Sequence, residues 1–151
     1  MIINNEKTIV QSPADSSLLS VLRKERLLQV KRGCEQGMCG SCTVLMDGKP
    51  VPSCKIPVAI AMNKEIVTLE YFSKNEMYTA IMKGFAKAGI KLCGYCNSGK
   101  IFAAKEILSA PLRPTRKKIA EYISQLSPCC TDLDSLTNGI LYAFEFYTKK
   151  N

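Results

Sequence analysis

The chain has 151 residues, 46% hydrophobic and 23% charged, enough apolar material to bury a core and too little charge for a disordered tail. Its 21 basic and 13 acidic residues give a net charge of +8, and it contains no histidine and no tryptophan. Without histidine there is no Ser-His-Asp or Cys-His catalysis, no His-ligated metal and no Rieske-type cluster. The longest apolar run, Ile56 to Met62, is seven residues with Pro57 inside it, against the ~20 that a membrane span needs. The first thirty residues hold no apolar h-region, so no secretory signal, no membrane and a cytoplasmic location are expected.

The positive excess is uneven: residues 1–72 hold 9 basic and 7 acidic groups, residues 73–151 hold 12 and 6. No long basic run, recognition-helix signature or RNP-type aromatic motif accompanies it. The excess therefore reads as a solvated lysine-rich surface, with no nucleic-acid partner.

Along the first half, Ile2 to Asn4 and Thr8 to Gln11 flank Asn5-Glu6-Lys7 and read as a hairpin. Asp15 or Ser16 is the expected cap of a helix with Leu18, Leu19 and Leu22 on one face. Thr43 to Met46 and Lys49 to Val51 are strand-like, joined by Asp47-Gly48, a strong two-residue turn signal. Ile66 to Leu69 reads as a further short strand. Short mixed strands around one helix predict a small α+β domain.

The character changes near residue 72. Met77, Ile81, Phe85 and Ala88 recur at helical spacing, as do Ile101, Ala104 and Leu108. Thr115 is the expected N-cap of a helix bearing Ile119 and Ile123. Leu133, Leu136, Ile140, Phe144 and Tyr147 form a last helical stripe, with Phe144 and Tyr147 read as core. Four helices with short connections predict a small bundle. The expected domains are residues 1–72 and 73–151.

Eight cysteines carry the chemistry: Cys34, Cys39, Cys42, Cys54, Cys93, Cys96, Cys129 and Cys130. Without an export signal they point to metal ligation before disulfides. The first four follow C-x4-C-x2-C-x11-C, and the start of that pattern is the plant-type [2Fe–2S] spacing. Two irons bridged by two sulfides need four thiolates, two per iron. A tight loop supplies three converging thiolates and a later segment the fourth. Gly37 and Gly40 let that loop take positive φ and approach closely, and its backbone N–H groups can then bond the sulfurs. A structural zinc site would instead show paired, well-separated knuckles.

Cys93 and Cys96 form a C-x2-C pair, a spacing shared by zinc, redox dithiol and iron–sulfur sites. Ser98 to Leu108 reads as a helix, so this pair sits near its N-terminus, where the helix dipole favours thiolates. Cys129 and Cys130 precede the last helix, which Thr131 or Asp132 can cap. Two helix starts with two cysteines each make a four-thiolate cage possible, against buried free thiols.

The stretches GCEQGMCGSCTVLMDGKPVPSC, EIVTLE and KLCGYCNSGKIFAAKEIL, in this order, resemble the small iron–sulfur subunit of the molybdenum hydroxylases, the xanthine dehydrogenase and aldehyde oxidoreductase family. The resemblance covers essentially residues 1–147. It implies an α+β chain: an N-terminal β-grasp ferredoxin-like [2Fe–2S] domain followed by a C-terminal four-helix [2Fe–2S]-binding domain. It implies that Cys34, Cys39, Cys42 and Cys54 hold the first cluster, and that Cys93 and Cys96 supply the first pair for the second. Cys129 and Cys130 are the expected remainder of that second set. It also implies an electron-transfer role without catalytic residues, between a molybdopterin-binding catalytic subunit and an FAD-binding subunit, with no cofactor but the two clusters on this chain. The other readings are a free ferredoxin-like carrier and a zinc-stabilised interaction module. The chain departs from the family pattern at Leu92, where a pterin-contacting Gln is usual. Asn97-Ser98-Gly99 replaces the usual Thr-Pro-Gly. Around Thr131 the usual Cys-x-Cys becomes Pro128-Cys129-Cys130.

Overall fold

The computed structural model describes residues 1–126 and 130–149. The first half is a five-stranded mixed sheet with helices. Strands β1 (Ile2–Ile3) and β2 (Glu6–Lys7) form a hairpin. Helix α1 (Leu18–Lys24) follows, then β3 (Thr43–Met46) and β4 (Lys49–Pro52). A 3₁₀ turn over Ser53–Lys55 and the short helix α2 (Val58–Ala61) lead to β5 (Glu65–Val67) and the one-turn helix α3 (Leu69–Phe72). The strand order is β2-β1-β5-β3-β4, with β1 parallel to β5 and every other pairing antiparallel.

Local chemistry sets these boundaries. Asp47 and Gly48 both take positive φ, 48° and 78°, and close the β3–β4 hairpin at the expected turn. The first hairpin turns earlier than expected. Asn4 and Asn5 hold φ of 53° and 68°, so the turn lies there and Glu6–Lys7, not Thr8 to Gln11, is the returning strand. Asparagine tolerates the left-handed region, which lets this pair make the tight turn. The α1 cap is Ser17, whose Oγ accepts the Ser20 N–H at 3.3 Å. The start of the helix is pinned on both sides of this cap, because the Ser16 carbonyl accepts Val58 N–H and Leu18 N–H donates to the Ile56 carbonyl.

The expected strand Ile66 to Leu69 ends two residues early. The Asn4 side chain accepts the Thr68 N–H at 2.9 Å and donates to Thr68 Oγ1 at 3.1 Å. The backbone of Thr68 is thereby withdrawn from the ladder, and Leu69 starts α3.

The second half carries four longer helices: α4 (Glu76–Lys87), α5 (Asn97–Leu108), α6 (Arg116–Ile123) and α7 (Leu133–Thr148). Thr115 caps α6 by accepting the Lys118 N–H at 3.3 Å. Of the two expected caps of α7, Asp132 does the work, accepting the Ser135 N–H at 2.8 Å. Leu136 and Ile140 are fully buried, Phe144 and Tyr147 half-buried, and Leu133 exposed.

Two apolar cores flank the sheet. Ile3, Leu18, Leu19, Leu22, Val44 and Ile66 fill one. Leu45, on the opposite face of β3 from Val44, joins Phe72, Ile81, Phe102, Ile119 and Ile140 in the other. Helix α5 lies against β3 and β4 on one side and α4, α6 and α7 on the other. This explains why Phe102, Ala103 and Ala104, three successive residues, are all buried. α4 and α7 approach backbone to backbone, since a methyl group at Gly84 would stand 2.4 Å from both Ala143 N and Gly139 O.

Candidate metal centres

The segment between α1 and β3 folds into a tight loop around its cysteines. Gly37 and Gly40 take φ of +80° and +76°. Cys34 Sγ accepts the N–H groups of Gln36 and Cys39, both at 3.3 Å, and Cys39 Sγ accepts the Cys34 N–H at 3.4 Å. These donors, with that of Met38, hold the Cys34 thiol down at about 6. Ser41 Oγ lies 3.3 Å from Cys39 Sγ.

Cys42 immediately precedes β3 in a buried position, its carbonyl held by the Ser53 hydroxyl at 2.7 Å. Cys54 sits in the 3₁₀ turn beyond β4. Burial and the adjoining Cys42 thiol push Cys54 up to about 11, against the Gly37 N–H that bonds its sulfur. The four thiols thus meet as two touching pairs, Cys34 with Cys39 and Cys42 with Cys54, and Cys54 also feels Cys34. Among the described residues no three Cys, Asp or Glu side chains are arranged to hold one metal ion. A paired arrangement suits a two-iron cluster, where each iron takes two thiolates.

The second group forms where α5 and α7 begin. Cys96 is buried and is the N-cap residue of α5, and Cys93 is exposed three residues earlier. Gly94 takes φ of +91°, and its N–H donates to the Asn97 side chain at 3.0 Å, closing the C-x2-C turn. Asn97 thus does the turn-closing work at the first position of the Asn97-Ser98-Gly99 departure. Cys130 meets Cys93: burial raises its thiol, and the Cys93 N–H, the Thr131 hydroxyl, the Cys93 thiol and the Lys100 ammonium outweigh that and bring it to about 7. Cys93, Cys96 and Cys130 are therefore brought together; the expected ligand Cys129 lies outside the described residues.

Lys100 was not among the expected site residues. Its Nζ lies 3.2 Å from Cys96 Sγ and 3.7 Å from Cys130 Sγ. The signal was available as a lysine four residues after Cys96 on a helix otherwise rich in apolar residues. Leu92 is half-buried against the helical core, where it offers no hydrogen bond.

The two cysteine groups adjoin. The Lys31 ammonium donates to the Gly94 carbonyl. Tyr95, between Cys93 and Cys96, brings its hydroxyl to Gly33, the residue before Cys34, and a methyl group at Gly99 would stand 2.9 Å from Gly40 Cα.

The fold and these thiol groups define an iron–sulfur protein with two domains. Residues 1–65 match the 2Fe-2S iron-sulfur cluster binding domain family and residues 68–141 the [2Fe-2S] binding domain family. The chain is 33% identical over 144 residues to the nicotinate dehydrogenase small FeS subunit of Eubacterium barkeri, covering 95% of this chain and 92% of that one. It is 43% identical over 130 residues to the xanthine dehydrogenase iron-sulfur-binding subunit of Escherichia coli O157:H7, covering 82% and 79%. The structure matches that of quinoline 2-oxidoreductase from Pseudomonas putida 86 with a TM-score of 0.85 at 30% identity, covering 98% and 93%. The chain belongs to the family of small [2Fe–2S] subunits of the molybdenum hydroxylases.

Proposed function

We propose that this chain carries electrons within a molybdenum hydroxylase complex, between a molybdopterin-binding catalytic subunit and an FAD-binding subunit. It is a non-catalytic subunit of an oxidoreductase, as its relatives are. The observation that carries the reading is the contact between the two cysteine groups, through Tyr95 on Gly33 and Gly99 on Gly40. When bound, the two clusters supply one-electron carriage, with plant-type clusters at about −400 mV.

The assignment of residues is part of the proposal. Cys34, Cys39, Cys42 and Cys54 hold the first cluster, and Cys93, Cys96 and Cys130 with Cys129 hold the second. Backbone N–H groups of Gln36, Met38, Cys39 and Gly37 stabilise negative charge on the first set of sulfurs. Cys93 and Cys130 are exposed while Cys96 is buried, so the second group lies at the edge of the chain with one thiol inside it. The division into residues 1–72 and 73–151 also belongs to this reading: the four longer helices all lie after residue 72, and Leu69 and Phe72, at the end of the first part, pack into their core. So does a cytoplasmic location. Among the described residues no helix is long and apolar enough to cross a membrane.

Purification of the native assembly under mild conditions tests this. The chain is expected to elute with two larger subunits, with molybdenum and flavin in the same peak. Elution alone, brown and at the mass of a single chain, would establish the free-carrier reading instead; a colourless zinc-bearing chain would establish the interaction module.

A further inference from the structure

Helix α5 is buried on several sides, and one of its buried residues is a lysine. Lys100 is only 2% exposed. It stands one helical turn beyond Cys96, so its side chain lies alongside that thiol. Its Nζ is 3.2 Å from Cys96 Sγ and 3.7 Å from Cys130 Sγ. Cys96 begins α5 and Cys130 precedes α7, so one ammonium touches sulfurs from both segments that build the second group.

A buried ammonium is strongly unfavourable unless negative charge accompanies it. A methionine or leucine would fill the same space without that cost. The position of Lys100 therefore makes sense beside an anionic thiolate centre and not beside neutral thiols. In the first group the described partners of the sulfurs are backbone N–H groups and the neutral Ser41 hydroxyl. Dipoles and a full charge act differently on reduction, which adds one negative charge to a cluster. Hydrogen bonds and local charge are the levers that set cluster potentials.

Resting on the reading that Cys93, Cys96 and Cys130 hold the second cluster, we propose that Lys100 is a potential-setting residue whose buried positive charge makes that cluster easier to reduce. The step is a single-electron gain from a reductant. No bond is made or broken.

The test is a potentiometric titration of the holoprotein with dithionite and mediators, following the EPR signal of each cluster. The Cys39→Ser variant, lacking the first cluster, identifies which signal belongs to the second. In Lys100→Met, with iron content unchanged, the reduced-to-oxidised ratio of the second cluster at fixed potential is expected to fall at least tenfold, about 59 mV for one electron. The first cluster should not move, and Lys100→Arg should stay near wild type. Unmoved ratios at four irons per chain, or equal shifts in both clusters, would overturn the role of Lys100 alone. Two irons in wild type would overturn the second cluster and this proposal with it. If Lys100→Met loses iron, Lys100→Gln and Lys100→Arg decide: Gln is expected to fall below Arg, and equal ratios would overturn the proposal.

Discussion

Gly99, in the first turn of α5, lies with its Cα against the backbone of Gly40, in the loop that carries Cys34, Cys39 and Cys42. A methyl group on Gly99 would stand 2.9 Å from Gly40 Cα and 3.2 Å from its carbonyl oxygen. Neither neighbour is a flexible side chain that could swing away. Gly99→Ala is expected to cost about 1 to 3 kcal/mol by overpacking and to push the two cysteine groups apart. Thermal unfolding of the holoprotein should show a lower midpoint, and electron exchange between the two clusters should slow. A wild-type midpoint with unchanged kinetics would show that the loop and helix are not in contact.

Cys39→Ser tests the first ligand set. Cys39 pairs with Cys34 in the middle of the loop, and a serine hydroxyl is a poorer donor to iron than a thiolate. Iron is expected to fall from four to two per chain, and electron delivery to flavin in the complex should stop. Full iron with wild-type reduction kinetics would remove Cys39 from the set.

Much of this arrangement was legible in the sequence, for local reasons. The Asp47-Gly48 turn, the Thr115 cap and the spacing of Cys34, Cys39 and Cys42 are each set within a dozen residues. What could not be read depends on distant partners. Thr68 leaves the sheet because Asn4 takes its N–H, and Ile3 pairs in parallel with Ile66 across the whole domain. The first hairpin turns at Asn4-Asn5 and not over Asn5-Glu6-Lys7, because either Asn-Asn or Asn-Glu can begin a tight turn. The helical spacing of Ile101, Ala104 and Leu108 suggested one buried face. The packing of α5 between sheet and bundle buries the other side too, and that is what encloses Lys100.

Asp47 offers a pH test away from the thiols. Its carboxylate is held below the usual value by the Lys64 ammonium, whose Nζ lies 2.7 Å away, and by the Glu65 N–H at 3.1 Å. A depressed folded-state value means stability that is present above the unfolded value, about 3.9, and lost as pH falls through the folded one. Asp47→Asn keeps a residue tolerant of the positive φ in the turn, so it isolates the charge. The variant should be less stable than wild type at pH 6, and the difference should shrink toward pH 3. A difference that stays constant across this range would mean that the ion pair contributes nothing.

Gly84 sets two effects against each other. Alanine is favoured over glycine in a helix by about 1 kcal/mol. A methyl group there would stand 2.4 Å from Ala143 N and Gly139 O, backbone atoms of α7, so α4 and α7 must separate. Overpacking of up to about 3 kcal/mol should win, and Gly84→Ala should lower the urea midpoint. A higher midpoint would mean that helix propensity wins and the close approach of α4 and α7 is absent.

The central claim is that this one chain holds two [2Fe–2S] clusters, in the loop before β3 and between the starts of α5 and α7. Iron and acid-labile sulfide per chain, measured with EPR of the dithionite-reduced protein, tests it most directly. The account predicts four irons, four sulfides and two distinct signals, one of which vanishes in Cys39→Ser. Two irons with a single signal, or zinc in place of iron, would contradict it.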